Sequence, residues 1–355
     1  MIRDDNLFGT PHEQAGGFFG IKLHKRIQMR TFCSVMRLLL ILLAFLSGLT
    51  QAAGVVSHPY KGVTYISRRE ISPLAVNMHI VLIDLTEQGI SFKLTPPGGT
   101  HDTVRNTTLD FLNQQHAQVA INSHFFLPFP STDINSDVVG LAASQGNVYS
   151  PFEPQPITAG CADQSYAIIA YAPALNIDAN NHAGIVNRDP AYSDNKHILE
   201  PVTLWNAVSG SAQIVTNGVK TIPKYSGPPP VLNPIKGFSD SNSWYSLHKP
   251  RTAIGLSRSN KTLVFFIVDG AGGSAGMTCG QVADILVSDY GVYNALNLDG
   301  GGSTTLAIQD PNTHAGKIMN VSSGNPNGRA VGSSLAVFAA ENAPGTFNSP
   351  RINQN

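Results

Sequence analysis

The residues best equipped for chemistry are Asp299-Gly300-Gly301-Gly302-Ser303, which follow the apolar Ala295-Leu296-Asn297-Leu298. Consecutive glycines lose more backbone freedom on folding than any other residues. Such a run suits a place where backbone must approach a ligand closely, and its amides can form a nest for an anion. Asp299 adds a carboxylate and Ser303 a hydroxyl; a tight glycine turn beside a surface aspartate fits the same residues. Asp269 also ends an apolar run, residues 262–268. If the two strands are neighbours, both carboxylates emerge at one sheet edge, where ligands commonly sit. Paired carboxylates serve glycoside hydrolysis, although Asp269 can equally cap the turn that follows it. Arg251 enters an apolar stretch in Pro250-Arg251-Thr252-Ala253-Ile254-Gly255. A bare buried charge is costly, and the guanidinium fork suits a phosphate, a carboxylate or an internal aspartate. Arg329, entering the last apolar stretch, has the same properties. Asn122 can bond a sugar hydroxyl or orient a catalytic group. His124 titrates near neutrality and can act as acid or base.

These groups need strands and turns to hold them. Residues 76–84 and 90–94 read as strands, and Pro96-Pro97-Gly98-Gly99 breaks the pattern. Thr107 or Thr108 can cap a helix carrying Leu109, Phe111, Leu112 and Gln115. Val119-Ala120-Ile121-Asn122 is a short buried strand running into Ser123-His124-Phe125-Phe126. Gln213-Ile214-Val215 before Asn217-Gly218 reads as a hairpin. Residues 262–268 have the continuous apolar character of a strand covered on both faces. Thr278 can cap the next helix, with Val282, Ile285, Leu286 and Tyr290 at helical spacing and Gly291 to close it. Strands at 295–298, 304–308 and 329–338 complete the pattern. Residues 173–200 and 222–245 are polar excursions. Hairpins with one strand–helix–strand unit predict an α+β fold, a mixed β-sheet core with packed helices in a single catalytic domain. Its boundaries are 54–342, after a leader at 1–53 and before a polar tail at 343–355.

Composition narrows the function classes. The formal net charge is zero and charged residues are sparse, so no nucleic-acid footprint is present. Arg30 and Arg37 precede Leu38-Leu39-Leu40-Ile41-Leu42-Leu43-Ala44-Phe45-Leu46, and small residues follow to Ala52-Ala53-Gly54. That order reads as a secretory signal peptide; the apolar run is shorter than the about 20 residues of a membrane span. A secreted or periplasmic location is expected, with membrane contact only through an uncleaved leader. In an oxidising compartment Cys161 and Cys279 can pair or remain separate buried thiols. There is no HExxH, GxSxG, Walker-type or EF-hand motif. No cofactor is required by the sequence, and a divalent metal is compatible with Asp269 and Asp299 as ligands.

The elements assemble into a recognisable series. Ala120-Ile121-Asn122-Ser123-His124-Phe125-Phe126, Ser209-Gly210 through Asn217-Gly218, Pro250-Arg251-Thr252, Val268-Asp269-Gly270 with Gly276-Met277-Thr278, Ala295 through Thr305, and Arg329-Ala330-Val331 with Ser334-Leu335-Ala336-Val337 occur in order. Together they resemble the phosphodiester glycosidase family over roughly residues 75–340. The departures are Ser123 and His124, where small glycine-like residues are common, and a long excursion at 222–245. The resemblance implies an exported hydrolase that cleaves the glycosidic bond of a sugar-1-phosphodiester, such as one of N-acetylglucosamine, in cell-surface polysaccharide metabolism. Its implied catalytic residues are Asp299, Asp269, Arg251 and His124. Asn122, Gly300, Gly301, Gly302, Ser303, Thr305 and Arg329 would hold a sugar-phosphodiester or polysaccharide. A metal-dependent phosphodiesterase cutting P–O and a non-catalytic polysaccharide-binding envelope protein are the alternatives.

Overall fold

Thr262–Val268 is buried at every position after the first, because both faces of this strand are covered. In the computed structural model, which describes residues 54–155, 168–223, 243–322, 326–343 and 351–352, it lies within a nine-stranded sheet. The strand order is Val219–Lys220, Ala212–Thr216, Val292–Asn297, Arg251–Ser257, Thr262–Val268, Val76–Asp84, Val63–Glu70, Val55–Tyr60 and Arg351–Ile352. Phe265 and Ile267 join Ile254 and Leu296 in a central core. Val264, Phe266 and Val268 join a second cluster with Val282, Ala283 and Leu286 of helix α2, Cys279–Ser288. Each fully buried side chain of this size contributes about 1.5–3 kcal/mol.

The opposite wall of the central core is a five-stranded sheet ordered Gly316–Ile318, Leu306–Gln309, Val119–Asn122, Ser334–Phe338 and Ser91–Leu94. Ile121, Leu306 and Leu335 face the core, while Ala120, Ala307 and Ala336 face Phe111 and Leu112 of helix α1, Thr108–Gln115. The alanines on that face leave room for the helix. An isolated helix this short is marginal in water, so packing and the Thr107 cap, which accepts from the Asp110 amide, hold it. A second five-stranded sheet, ordered Asn147–Ser150, Ala142–Ser144, Asn206–Ser209, Ala174–Ile177 and Ala183–Val186, closes one side through Leu175, Ile177 and Val208.

The architecture is therefore mostly β, with α1 and α2 the two α-helices among the described residues. The expected α+β core overstates the helices, and every strand pair among the described residues is antiparallel rather than mixed. The strand–helix–strand unit exists, but Arg251–Ser257 sits between its two strands and pairs antiparallel with each. The expected helices start where their caps were read: Thr278 forms a capping box with Gln281. The leader at 1–53 and Cys161 lie outside the described residues. Among those described, no helix is long and apolar enough to cross a membrane.

Candidate active site

Asp299 through Thr305 carries the chain from the nine-stranded sheet to the sheet opposite, between Val292–Asn297 and Leu306–Gln309. Several hydrogen bonds fix this passage. The Leu298 amide donates to Thr252 O at 2.9 Å and the Asp299 amide to Ser123 O at 3.0 Å. Asn122 is fully buried; its Nδ2 donates to Asp299 O at 2.6 Å, and its Oδ1 accepts from Thr252 Oγ1 at 2.7 Å and the Thr305 amide at 3.0 Å. One side chain thus ties three segments together behind the loop. Thr305 is likewise buried, its hydroxyl donating to Ser303 O at 3.0 Å.

The loop requires glycine for two different reasons. Gly301 has φ +60°, a left-handed conformation that side chains disfavour. At Gly300 a Cβ would lie 2.8 Å from Pro250 O and 3.2 Å from the Trp244 ring. Gly301–Ser303 forms one turn of 3₁₀ helix. The Gly301 amide donates to Pro250 O at 2.9 Å and the Ser303 amide to Gly300 O at 3.2 Å. Those two donors are engaged within the protein, so the loop is a braced turn rather than a run of free amides.

Above the loop lies a cavity of about 200 Å³ floored by Asp299 through Ser303 and walled by Phe125, Phe126, Phe129 and Trp244. Lys249 and Arg329 also line it, and neither forms an ion pair among the described residues. Arg329 Nη1 donates to Ser303 Oγ at 3.3 Å, and its guanidinium lies 4.8 Å from the centre of the Phe129 ring. Asp299 is 8% exposed. Burial pushes its carboxyl up to about 7, against the opposing pull of the Ser303 hydroxyl, the Arg329 charge and the Gly300 amide. A carboxyl poised there can exchange a proton at neutral pH.

The other expected site residues lie elsewhere around this floor. Asp269 and Asp299 end strands that run in the same direction, with Arg251 beginning the strand between them. The Asp269 carboxylate does not line the cavity. Its Oδ1 accepts from the Val321 amide at 2.8 Å, and its Oδ2 lies 3.5 Å from His79 Nε2. Arg251 is fully buried beneath Trp244, its guanidinium 4.6 Å from the centre of that ring. Its Nε donates to Met277 O at 2.9 Å and its Nη2 to Trp244 O and Leu247 O at 2.6 and 2.5 Å, while Nη1 has no partner among the described residues. His124 is also fully buried, with Nδ1 2.9 Å from Ser333 Oγ and Nε2 accepting from the Ser209 amide at 3.0 Å. Burial pushes His124 down to about 4, so it is neutral at physiological pH. Of the two cysteines expected in the mature chain, Cys279 is a buried free thiol that donates to Asn297 Oδ1 at 3.4 Å. Among the described residues no three His, Cys, Asp or Glu side chains converge as a metal site.

Lys249, Phe125, Phe129 and Trp244 are the lining residues that sequence reasoning did not select. Lys249 and Phe125 each adjoin a motif read from the sequence; Phe129 and Trp244 belong to loops without any local signal of their own.

A β-sandwich with outer helices and a glycine-floored cavity holding one carboxyl and two cations defines the class. Residues 115–338 match the phosphodiester glycosidase family, and the chain belongs to it. The catalytic domain of zebrafish N-acetylglucosamine-1-phosphodiester alpha-N-acetylglucosaminidase, auto-inhibited by its pro-peptide, shares the fold: TM-score 0.50, 19% identity, covering 84% of this chain and 91% of that one. A hypothetical protein from Synechocystis is similar at 19% identity and TM-score 0.48, over 79% of this chain, which spans 62% of that protein's length. No curated protein matches the sequence.

Proposed function

We propose that the protein hydrolyses the glycosidic bond of a sugar-1-phosphodiester, with Asp299 as the proton acceptor. The observation that carries this reading is a single proton-exchanging carboxyl in one cavity with two cations, Lys249 and Arg329, that form no ion pair among the described residues. A glycosyl phosphodiester carries one negative charge, and Lys249 and Arg329 supply the complementary charge. Its phosphate leaves without needing a proton, so the demanding step is activation of water at the sugar carbon. Asp299 in its ionised form takes the proton from that water; the bond from the sugar carbon to the phosphate oxygen breaks and leaves a phosphate monoester. The Phe125 and Trp244 rings offer apolar faces to the sugar. Asn122 holds Asp299 in place from behind, and Asp269 braces the Val321 segment. The zebrafish relative's name specifies N-acetylglucosamine in an α-linked 1-phosphodiester, and this sugar is the first to test. The leader motivates an exported location and a role at the cell surface.

The test is hydrolysis of N-acetylglucosamine-1-phosphodiesters in heavy-oxygen water, with mass spectrometry of the products. Label in the released sugar is expected. Label in the phosphate would mean P–O cleavage and overturn the assignment of Asp299 to attack at carbon. Binding without product would leave a polysaccharide-binding module instead.

A further inference from the structure

The arch between Ala183–Val186 and Asn206–Ser209 carries Tyr192, and Tyr171 packs against the same arch through Arg188. Tyr171 is 40% exposed and Tyr192 47%, and neither lines the catalytic cavity. We propose that the two tyrosines form a platform that binds a neutral polysaccharide, with pyranose units lying on the rings. The proposal is independent of the hydrolase reading. It concerns a second site, which would hold the protein on a glycan whatever reaction the cavity performs.

Single exposed apolar side chains are ordinary; what sets these two apart is that they are fixed. The Arg188 guanidinium lies 4.4 Å from the centre of the Tyr171 ring. The His197 ring stacks on Tyr192, with 3.8 Å between centres and 14° between planes. Arg188 joins the two halves: its Nη2 donates to Tyr192 O at 3.4 Å and its Nε to Asn195 Oδ1 at 2.5 Å. Main-chain bonds pin the whole patch, the Phe152 amide donating to Asn195 O at 2.8 Å and the Tyr171 amide to Glu153 O at 2.7 Å. Tyr171 also has φ +51°, a left-handed conformation uncommon for a bulky side chain. Such strain persists only where the surroundings enforce it, and it clusters at binding sites. A ring this exposed returns little burial for it.

The chemistry of the patch selects the ligand. Rings already held in place lose little further freedom when a ligand meets them. The face of an aromatic ring carries partial negative charge, and the C–H bonds of a pyranose present partly positive hydrogens to it. The sugar's hydroxyls need acceptors as well. Asp194, which bonds His197 Nδ1 at 3.0 Å, and Asp189, whose carbonyl accepts from the Tyr192 amide, bring carboxylates beside the rings. Residues 187–197 set two cations, Arg188 and Lys196, against those two carboxylates. The arch therefore has no formal net charge to draw an acidic polymer or an anionic lipid surface. A second copy of the chain would take these four charges out of water; a neutral glycan leaves them among hydroxyls and water.

The experiment is affinity electrophoresis of the full chain through native gels containing hydroxyethyl cellulose, dextran, glycol chitin or alginate. Retardation by at least one of the three neutral polymers is expected, and none by alginate. Loss of one stacking ring should raise the dissociation constant about threefold to tenfold. Tyr171→Ala and Tyr192→Ala should therefore each weaken retardation, and the double variant should abolish it with circular dichroism unchanged. Turnover of a small sugar-1-phosphodiester should stay at the wild-type level in the double variant; no turnover by the wild type would remove the hydrolase reading and leave the platform standing. No retardation by any neutral polymer, or full retardation of the double variant, would overturn the platform. Stronger retardation by alginate would overturn the neutral assignment. A wild-type dimer in sedimentation that the double variant dissociates would make the patch a self-association surface instead.

Discussion

Arg251 and Arg329 both enter strands beside the glycine loop, yet the regions around them differ. Below the loop, Arg251 gives three hydrogen bonds to main-chain carbonyls, Asn122 bonds Thr252 and both ends of the Asp299–Thr305 passage, and His124 lies between Ser333 and Ser209. Above it, Lys249 has no ion pair among the described residues, Arg329 donates to one hydroxyl, and Asp299 faces the cavity with a carboxyl that can change charge. The same residue types therefore serve cohesion on one side and chemistry on the other. The difference lies in whether their bonding capacity is met inside the protein, which residue type alone does not disclose.

Replacing Asp299 by Asn tests the upper region most severely. Loss of a proton acceptor should lower kcat by about 10²–10⁴-fold, with circular dichroism unchanged; near-normal turnover would place the chemistry elsewhere. Arg251→Ala tests the lower region. It leaves buried carbonyls unpaired and a cavity under Trp244, costing about 3–5 kcal/mol of stability. An unchanged urea midpoint together with lost turnover would instead put Arg251 in contact with substrate.

The pH dependence separates the regions a second way. Between its ordinary 3.8 and about 7, Asp299 binds more protons folded than unfolded, so its contribution falls as pH rises across that window. His124 behaves oppositely: held down at about 4 against an ordinary 6.5, its contribution is lost as pH falls through that interval. Asp299→Asn should therefore gain stability over the wild type progressively up to about pH 7, by on the order of 4 kcal/mol at most. Denaturant midpoints from pH 4 to 8 measure this, and a constant difference would show that burial does not perturb Asp299. Activity should rise with pH through the same region if Asp299 acts as base. Arg329→Gln should have the smallest effect, removing a charged contact worth about 1.5–3 kcal/mol. Steady-state kinetics should show that loss in kcat/KM, and an equal fall in the unfolding midpoint would move Arg329 to the lower region.

Much of the fold was legible where a local pattern has one physical solution. The apolar run at 262–268 required cover on both faces, and Thr107 and Thr278 mark helix starts through their side-chain oxygens. The glycine loop was legible because three glycines in succession need a reason. Adjacency was not: nothing within 262–298 shows that Arg251–Ser257 inserts between the two strands. For the same reason the pairing of Asp269 with Val321 and His79 was hidden, since its partners lie 52 and 190 residues away. Trp244 and Phe129 reach the cavity from loops, where position depends on the whole fold.

Gly300 and Gly301 divide the site into parts with unequal freedom to vary. The floor is main chain pressed against Pro250 and Trp244, closer than any side chain permits. Random mutagenesis there should return almost only inactive clones, whatever substrate is selected. The rim at Phe129 and Lys249 is made of side chains that are partly exposed. A library aimed at new specificities therefore belongs on the rim, where a change of preference can be inherited without losing the reaction.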